Sequence, residues 1–281
     1  MSRIEGLKKV RAAFCVAALL ILSTGVLRAD DSAYAAIDGG AFGTIDLSTG
    51  AFTLLGNSGQ TLSGLSVYNG VLYGDSLGGN STLFTINPTN GSLTAVGNAG
   101  VSGGFVDFGD TLSGLFAEGF DGNLYSINSA TGAATLVGAT SPAYAGGYSS
   151  ISLNSGTLYY TQGANFNFYT LNTSTGATTL VGSLGAGLEM GAMISEDGKL
   201  YAAEDSPVSN IDTINPTTGS ATIGPAVTGA PSVIFGLAPD PVPIVSSSPV
   251  PEPPSMLLVL LGSVLFGSRG LVNKRTAICG S

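Results

Sequence analysis

Five stretches of the chain lie over one another without a gap: Phe42–Gly56 (FGTIDLSTGAFTLLG), Leu83–Gly97 (LFTINPTNGSLTAVG), Leu124–Gly138 (LYSINSATGAATLVG), Phe168–Gly182 (FYTLNTSTGATTLVG) and Ile211–Pro225 (IDTINPTTGSATIGP). Their turn glycines, Gly50, Gly91, Gly132, Gly176 and Gly219, stand 41, 41, 44 and 43 residues apart. That period belongs to propeller blades, not to heptads or short solenoid coils. Within one copy, alternation puts Tyr125 and Ile127 on one face of a strand and Leu124 and Ser126 on the other. Asn128 to Gly132 then supplies a turn in which glycine takes the positive φ, and Ala134 to Val137 pairs back.

A second hairpin is written between successive copies. Asn69-Gly70, Ser155-Gly156 and Asp197-Gly198 sit between short apolar runs, the dipeptide signal for a two-residue turn. In the third unit Phe105 to Phe108 and Thr111 to Ala117 take these places more loosely. Two hairpins per period make a four-stranded antiparallel blade. The first unit starts at Tyr34-Ala35-Ala36 and lacks a first strand, while Ile234 to Ala238 is a first strand with no partner. The expectation is an all-β, five-bladed β-propeller over residues 30–240, closed by strands from both ends, with a β-solenoid as rival. The repeats also resemble uncharacterised propeller-like domains of exported bacterial proteins, in their Leu-Tyr-x-Ile-Asn pattern and Thr-Gly turns.

Charge and composition narrow the chemistry. The 281 residues include no His, no Trp and two Cys, and 10% are charged. Without histidine, Ser-His-Asp and Cys-His catalysis, His-ligated metals and a histidine pH switch are excluded. Cys15 and Cys279 lie at opposite ends, so a disulfide framework is excluded as well. From Asp30 to Pro253 there are 17 acidic residues and one basic residue, Lys199. Such a body repels nucleic acid and anionic membrane.

The remaining basic residues mark the ends. Residues 1–29 have a basic start, an apolar run from Ala12 and a Leu27-Arg28-Ala29 finish, the plan of a secretory signal peptide with its helix. Residues 241–249 form a Pro/Ser-rich linker. Beyond it come Val250, Pro251, Glu252 and Pro253, an apolar run from Met256 to Gly267 predicted as a hydrophobic membrane helix, and the basic residues Arg269, Lys274 and Arg275.

In that order the segment 250–275 resembles the PEP-CTERM sorting signal. The resemblance implies that an exosortase, a membrane-embedded cysteine transpeptidase, recognises Pro251, Glu252 and Pro253. It would cleave nearby and release a protein, exported through the inner membrane of a Gram-negative cell, to the surface or beyond. The C-terminal helix would hold the chain in the membrane before processing. A plain C-terminal membrane anchor is the competing reading.

Asp75, Glu118, Glu204 and Asp205 each follow the second strand of a unit, and a pair of them is what a glycosidase would need. The favoured expectation is that they are solvated turn residues. No Asp-x-Asp-x-Asp-Gly calcium loop occurs, and Tyr73, Tyr125, Tyr159 and Tyr201 read as blade packing. No catalytic residue, metal or cofactor is therefore expected. The functional expectation is a non-enzymatic cell-surface or matrix protein with exopolysaccharide or other surface proteins as partners. The alternative is a secreted carbohydrate-active hydrolase or lyase using a carboxylate pair.

Overall fold

The structure, a computed structural model, describes residues 31–240 except 80, 112, 142–145, 147–148 and 207–208. The segments expected to be a signal peptide, a linker and a sorting signal, with Val250, Pro251, Glu252, Pro253, Arg269, Lys274 and Arg275, lie outside the described residues.

Twenty strands make five antiparallel four-stranded sheets. The chain opens with β1 (Ser32–Ile37), β2 (Ala41–Asp46) and β3 (Phe52–Asn57). Blade 2 follows as β4 (Leu62–Tyr68), β5 (Val71–Ser76), β6 (Thr82–Ile86) and β7 (Leu93–Asn98). Blade 3 is β8 (Phe105–Thr111), β9 (Gly114–Gly119), β10 (Asn123–Ile127) and β11 (Ala134–Ala139). Blade 4 is β12 (Ser149–Asn154), β13 (Thr157–Gln162), β14 (Asn167–Leu171) and β15 (Thr178–Ser183). Blade 5 is β16 (Met190–Glu196), β17 (Lys199–Glu204), β18 (Ile211–Ile214) and β19 (Ala221–Thr222). The last strand, β20 (Ile234–Pro239), returns to pair with β1, so blade 1 has the order β20-β1-β2-β3 and the ring closes as expected.

Local chemistry accounts for both hairpins. Asn69-Gly70, Ser155-Gly156 and Asp197-Gly198 all hold positive φ at both positions, from 48° to 51° at the first and 75° to 83° at the second. This turn matches the twist of the flanking strands. The second hairpin turns on an Asx motif. Oδ1 of Asp46, Asn87, Asn128, Asn172 and Asn215 accepts the N–H two residues on at 2.8–2.9 Å. The turn glycine then donates its N–H back to the carbonyl of the same Asx residue at 2.8 Å in every blade. The third unit differs from its sequence reading: its first hairpin turns after Thr111, so β9 begins at Gly114 rather than at Thr111.

Each blade buries both faces. Leu124 packs toward blade 4 with Leu158 and Tyr160, while Ile127 and Tyr125 pack toward blade 2 with Leu83 and Tyr73. Five such clusters, one at each blade boundary, constitute the core. Tyr159 and Tyr201 lie in two of them, in keeping with a packing role. The inner strands β4, β8, β12, β16 and β20 stand side by side around the axis.

Candidate functional site

One position on the first two strands differs systematically around the ring. Its paired residues are Gly64 and Asp75 in blade 2, Asp107 and Glu118 in blade 3, and Ser150 and Thr161 in blade 4. In blades 5 and 1 the pairs are Ala192 with Ala203 and Gly236 with Ala36. Blades 2 to 4 therefore carry a polar seam, at the end where inner strands begin, which the other two blades replace with methyl groups or hydrogen.

Asp107 is the centre of the seam. Its Oδ2 accepts the backbone N–H of Ile151 in blade 4 at 2.6 Å. On the other side, a Cβ placed on Gly64 of blade 2 would come 2.3 Å from Asp107 Oδ1, so glycine is required where the carboxyl leans in. Burial holds this carboxyl well above the usual range, with Asp75 and Glu118 adding to the rise and N–H groups of Phe108 and Ile151 opposing it.

Glu118 is wholly buried between blades 3 and 4. Its Oε1 accepts hydrogen bonds from the Tyr160 hydroxyl at 2.8 Å and the Thr140 hydroxyl at 3.1 Å. Its Oε2 has no partner among the described residues, and neither has the buried Ser149 hydroxyl. Burial pushes its pKa up to about 8 against those hydrogen bonds. Asp75 accepts the Ser63 hydroxyl at 2.6 Å through Oδ1, and its Oδ2 has no partner among the described residues. Burial pushes it up to about 7. At neutral pH the seam thus holds much of its acid in the protonated form.

These findings correct the sequence reading of Asp75 and Glu118 as solvated turn residues: both lie within the second strand, 1% and 0% exposed. The cause is the blade's double-sided burial: neighbouring blades cover the faces of β5 and β9 at these two positions. Glu204 and Asp205 are half-buried at the end of β17. Glu204 Oε2 accepts the Asn210 side-chain N–H at 3.1 Å. Its acidic neighbour is Asp212, fully buried, which takes the Gly224 N–H on Oδ1; its Oδ2 has no hydrogen-bond donor among the described residues. Burial raises the Asp212 pKa, and Glu204 adds to it. Asp205 is raised by burial and then by Glu189.

Sequence reasoning missed Asp107, Tyr160 and Asp212. For Asp212 a signal existed: it stands where three other copies of the repeat have Phe84, Tyr125 and Tyr169. Among the described residues no three acidic side chains converge to hold a metal ion, and no helix is long and apolar enough to cross a membrane. At the opposite end, where inner strands finish, the channel opens as a cavity of about 240 Å³ lined by Leu65, Ile151, Leu153, Met193 and Leu237, with Ser66 and Ser152.

No protein-family model and no curated protein matches the chain. Among solved structures, the chain is similar to one from a nidogen/laminin complex, at 10% identity and a TM-score of 0.50, covering 74% of this chain and 97% of the other. It also matches a protein of unknown function from Bacteroides thetaiotaomicron, at 19% identity and a TM-score of 0.42, covering 68% of this chain and 49% of that one. The first likeness concerns the fold alone.

Proposed function

We propose that the protein is an exported, non-enzymatic propeller of the cell surface or extracellular matrix, processed by an exosortase-type system and contacting exopolysaccharide. The observation that carries the non-enzymatic half is the fate of the carboxyls. Asp75 and Glu118 are 1% and 0% exposed and bonded inward to Ser63, Thr140 and Tyr160. A general acid has to reach its substrate's oxygen, and these two are closed off by the blades that hold them. The sorting half rests on the order Pro251-Glu252-Pro253, apolar run, basic cluster.

Expression in a cell that has an exosortase tests the sorting half by fractionation and mass measurement of the C-terminus. The wild type is expected to lose its tail, and Glu252→Ala to accumulate in the inner membrane with the tail attached. A wild-type protein recovered intact through Ser281 overturns the sorting reading in favour of a plain anchor. A second reading, a carbohydrate-active hydrolase or lyase, draws on Glu204 and Asp205, the candidate carboxyls that stay half-buried rather than sealed between blades, at the end of β17. Turnover of a polysaccharide that is lost in Glu204→Gln would establish it.

A further inference from the structure

We propose that the cleft between blades 3 and 4, at the end of the propeller away from the buried carboxyls, binds a neutral oligosaccharide. This rests on the glycan-contacting reading above and adds the place and the chemical class.

The cleft has a volume of about 550 Å³, within the range of small-ligand sites. Thr111 and Ser113 of blade 3 form one wall, and Thr157, Thr170, Thr173 and Ser174 of blade 4 form the other. Leu153 and Leu171 give the floor an apolar face. A hydroxyl both donates and accepts, so this lining can meet sugar hydroxyls in either sense. Among the described residues no charged side chain lines the cleft, although residues 31–240 carry 15 acids and a single base. A uronate-bearing glycan would find no cation here and an acidic body around it, whereas a neutral one pays no such electrostatic penalty. With no tryptophan in the chain, the leucine floor is the surface left for the C–H face of a sugar ring.

The wall from blade 3 is where that blade departs from the repeat. Blades 2, 4 and 5 make the first hairpin turn on Asn69-Gly70, Ser155-Gly156 and Asp197-Gly198. Blade 3 instead passes from Thr111 to Gly114, with the Thr111 and Ser113 hydroxyls 2.9 Å apart and the Ser113 N–H bonded to Thr111 Oγ1 at 3.1 Å. The departure thus builds a hydroxyl pair onto the cleft. A depression at the matching place on blade 5 is lined by Lys199, Thr213, Pro216 and Thr222 and has no such second wall, which makes it the internal control.

The test is an array of neutral and uronate-bearing oligosaccharides probed with the mature protein as cells release it. The wild type is expected to retain neutral glycans only. The double variant Thr157→Ala/Thr173→Ala should bind them about tenfold more weakly, the effect of two lost hydrogen bonds. Ser113→Phe, on an exposed turn, should fill the cleft and abolish binding. Thr213→Ala/Thr222→Ala should bind as the wild type does, and thermal melts establish that each variant is folded. If the cleft variants bind as tightly as the wild type, the cleft is overturned while the glycan reading stands. Retention of acidic glycans alone overturns the neutral class, and no retention of any glycan overturns both.

Discussion

The glycine that ends four of the five repeats is a packing requirement, visible one residue at a time. A Cβ on Gly56, Gly97, Gly138 or Gly182 would lie 1.9–2.1 Å from the carbonyl oxygen of Asn90, Thr131, Thr175 or Thr218 in the next blade. Each glycine follows a register shift between the third and fourth strands, so the outer strand bends to let the neighbour's Asx turn sit against it. Gly138→Ala is therefore expected to destabilise the ring by about 2–4 kcal/mol, as overpacking against backbone does when nothing can move aside. Gly39→Ala, where φ is +81° but nothing lies within 4 Å, should cost only about 1 kcal/mol. Urea denaturation of both variants compares the two costs; equal losses would mean that the blades separate enough to accommodate a methyl group.

Elements inherit a consequence from this stacking. Every blade ends in an outer strand with one open edge, and an exposed apolar residue recurs in register as Leu54, Leu136 and Leu180 on β3, β11 and β15 and as Ile223 just past β19, 58–65% exposed. Inner edges are treated differently, because each first strand is flanked by first strands of other blades around the axis. β20 is the exception in origin, since it comes from the far end of the chain yet packs Ile234 and Leu237 into one boundary cluster and Ala238 into another. Deleting residues 232–240 removes a strand from both clusters and opens β1 to solvent. The melting temperature is expected to fall by well over 10 °C, if the protein folds at all, on the scale of a few degrees per kcal/mol for a body of this size. Differential scanning calorimetry decides it: a truncated protein that melts with its parent would mean that β20 does not hold the ring together.

At the scale of the whole molecule the ring is chemically lopsided. Blades 2 to 4 enclose Asp75, Asp107 and Glu118 with no base among them, and the only base of residues 31–240, Lys199, pairs in register with Glu196 on the hairpin of blade 5. Folding raises the pKa of Asp75 to about 7 and of Glu118 to about 8, so the native state binds more protons than the unfolded chain between roughly pH 4 and pH 8. Stability is then greatest at the acid end of that window and falls as pH rises through it. This is opposite in sign to a protein whose carboxylates are salt-bridged. Melting temperature measured from pH 5 to pH 9 is expected to decline for the wild type. Glu118→Gln, which keeps an acceptor for Tyr160 and Thr140, should flatten the decline and raise the melting temperature at pH 8 by several degrees. A wild-type profile that rises with pH would refute the protonated seam.

The repeat made the blades legible from sequence, because turns such as Asn69-Gly70 and Asn128 to Gly132 are local and carry their own backbone requirements. Closure was legible as well, since Tyr34-Ala35-Ala36 and Ile234 to Ala238 are complementary fragments of one unit and their pairing needs no knowledge of packing. The proposed sorting signal rests on the order of its residues, a property of the chain and not of a fold. Burial was a different matter. Asp75 and Glu118 stand at strand ends, where an isolated hairpin would leave them in water; only the neighbouring blades seal them in. Asp107 belongs to a loosely matching unit, and its reach to Gly64 and Ile151 joins residues 43 and 44 positions away. Sequence periodicity determines which residues share a strand face, but which of those faces meets a neighbour, a channel or solvent is set by the ring, because distances between blades exist only once the ring has closed.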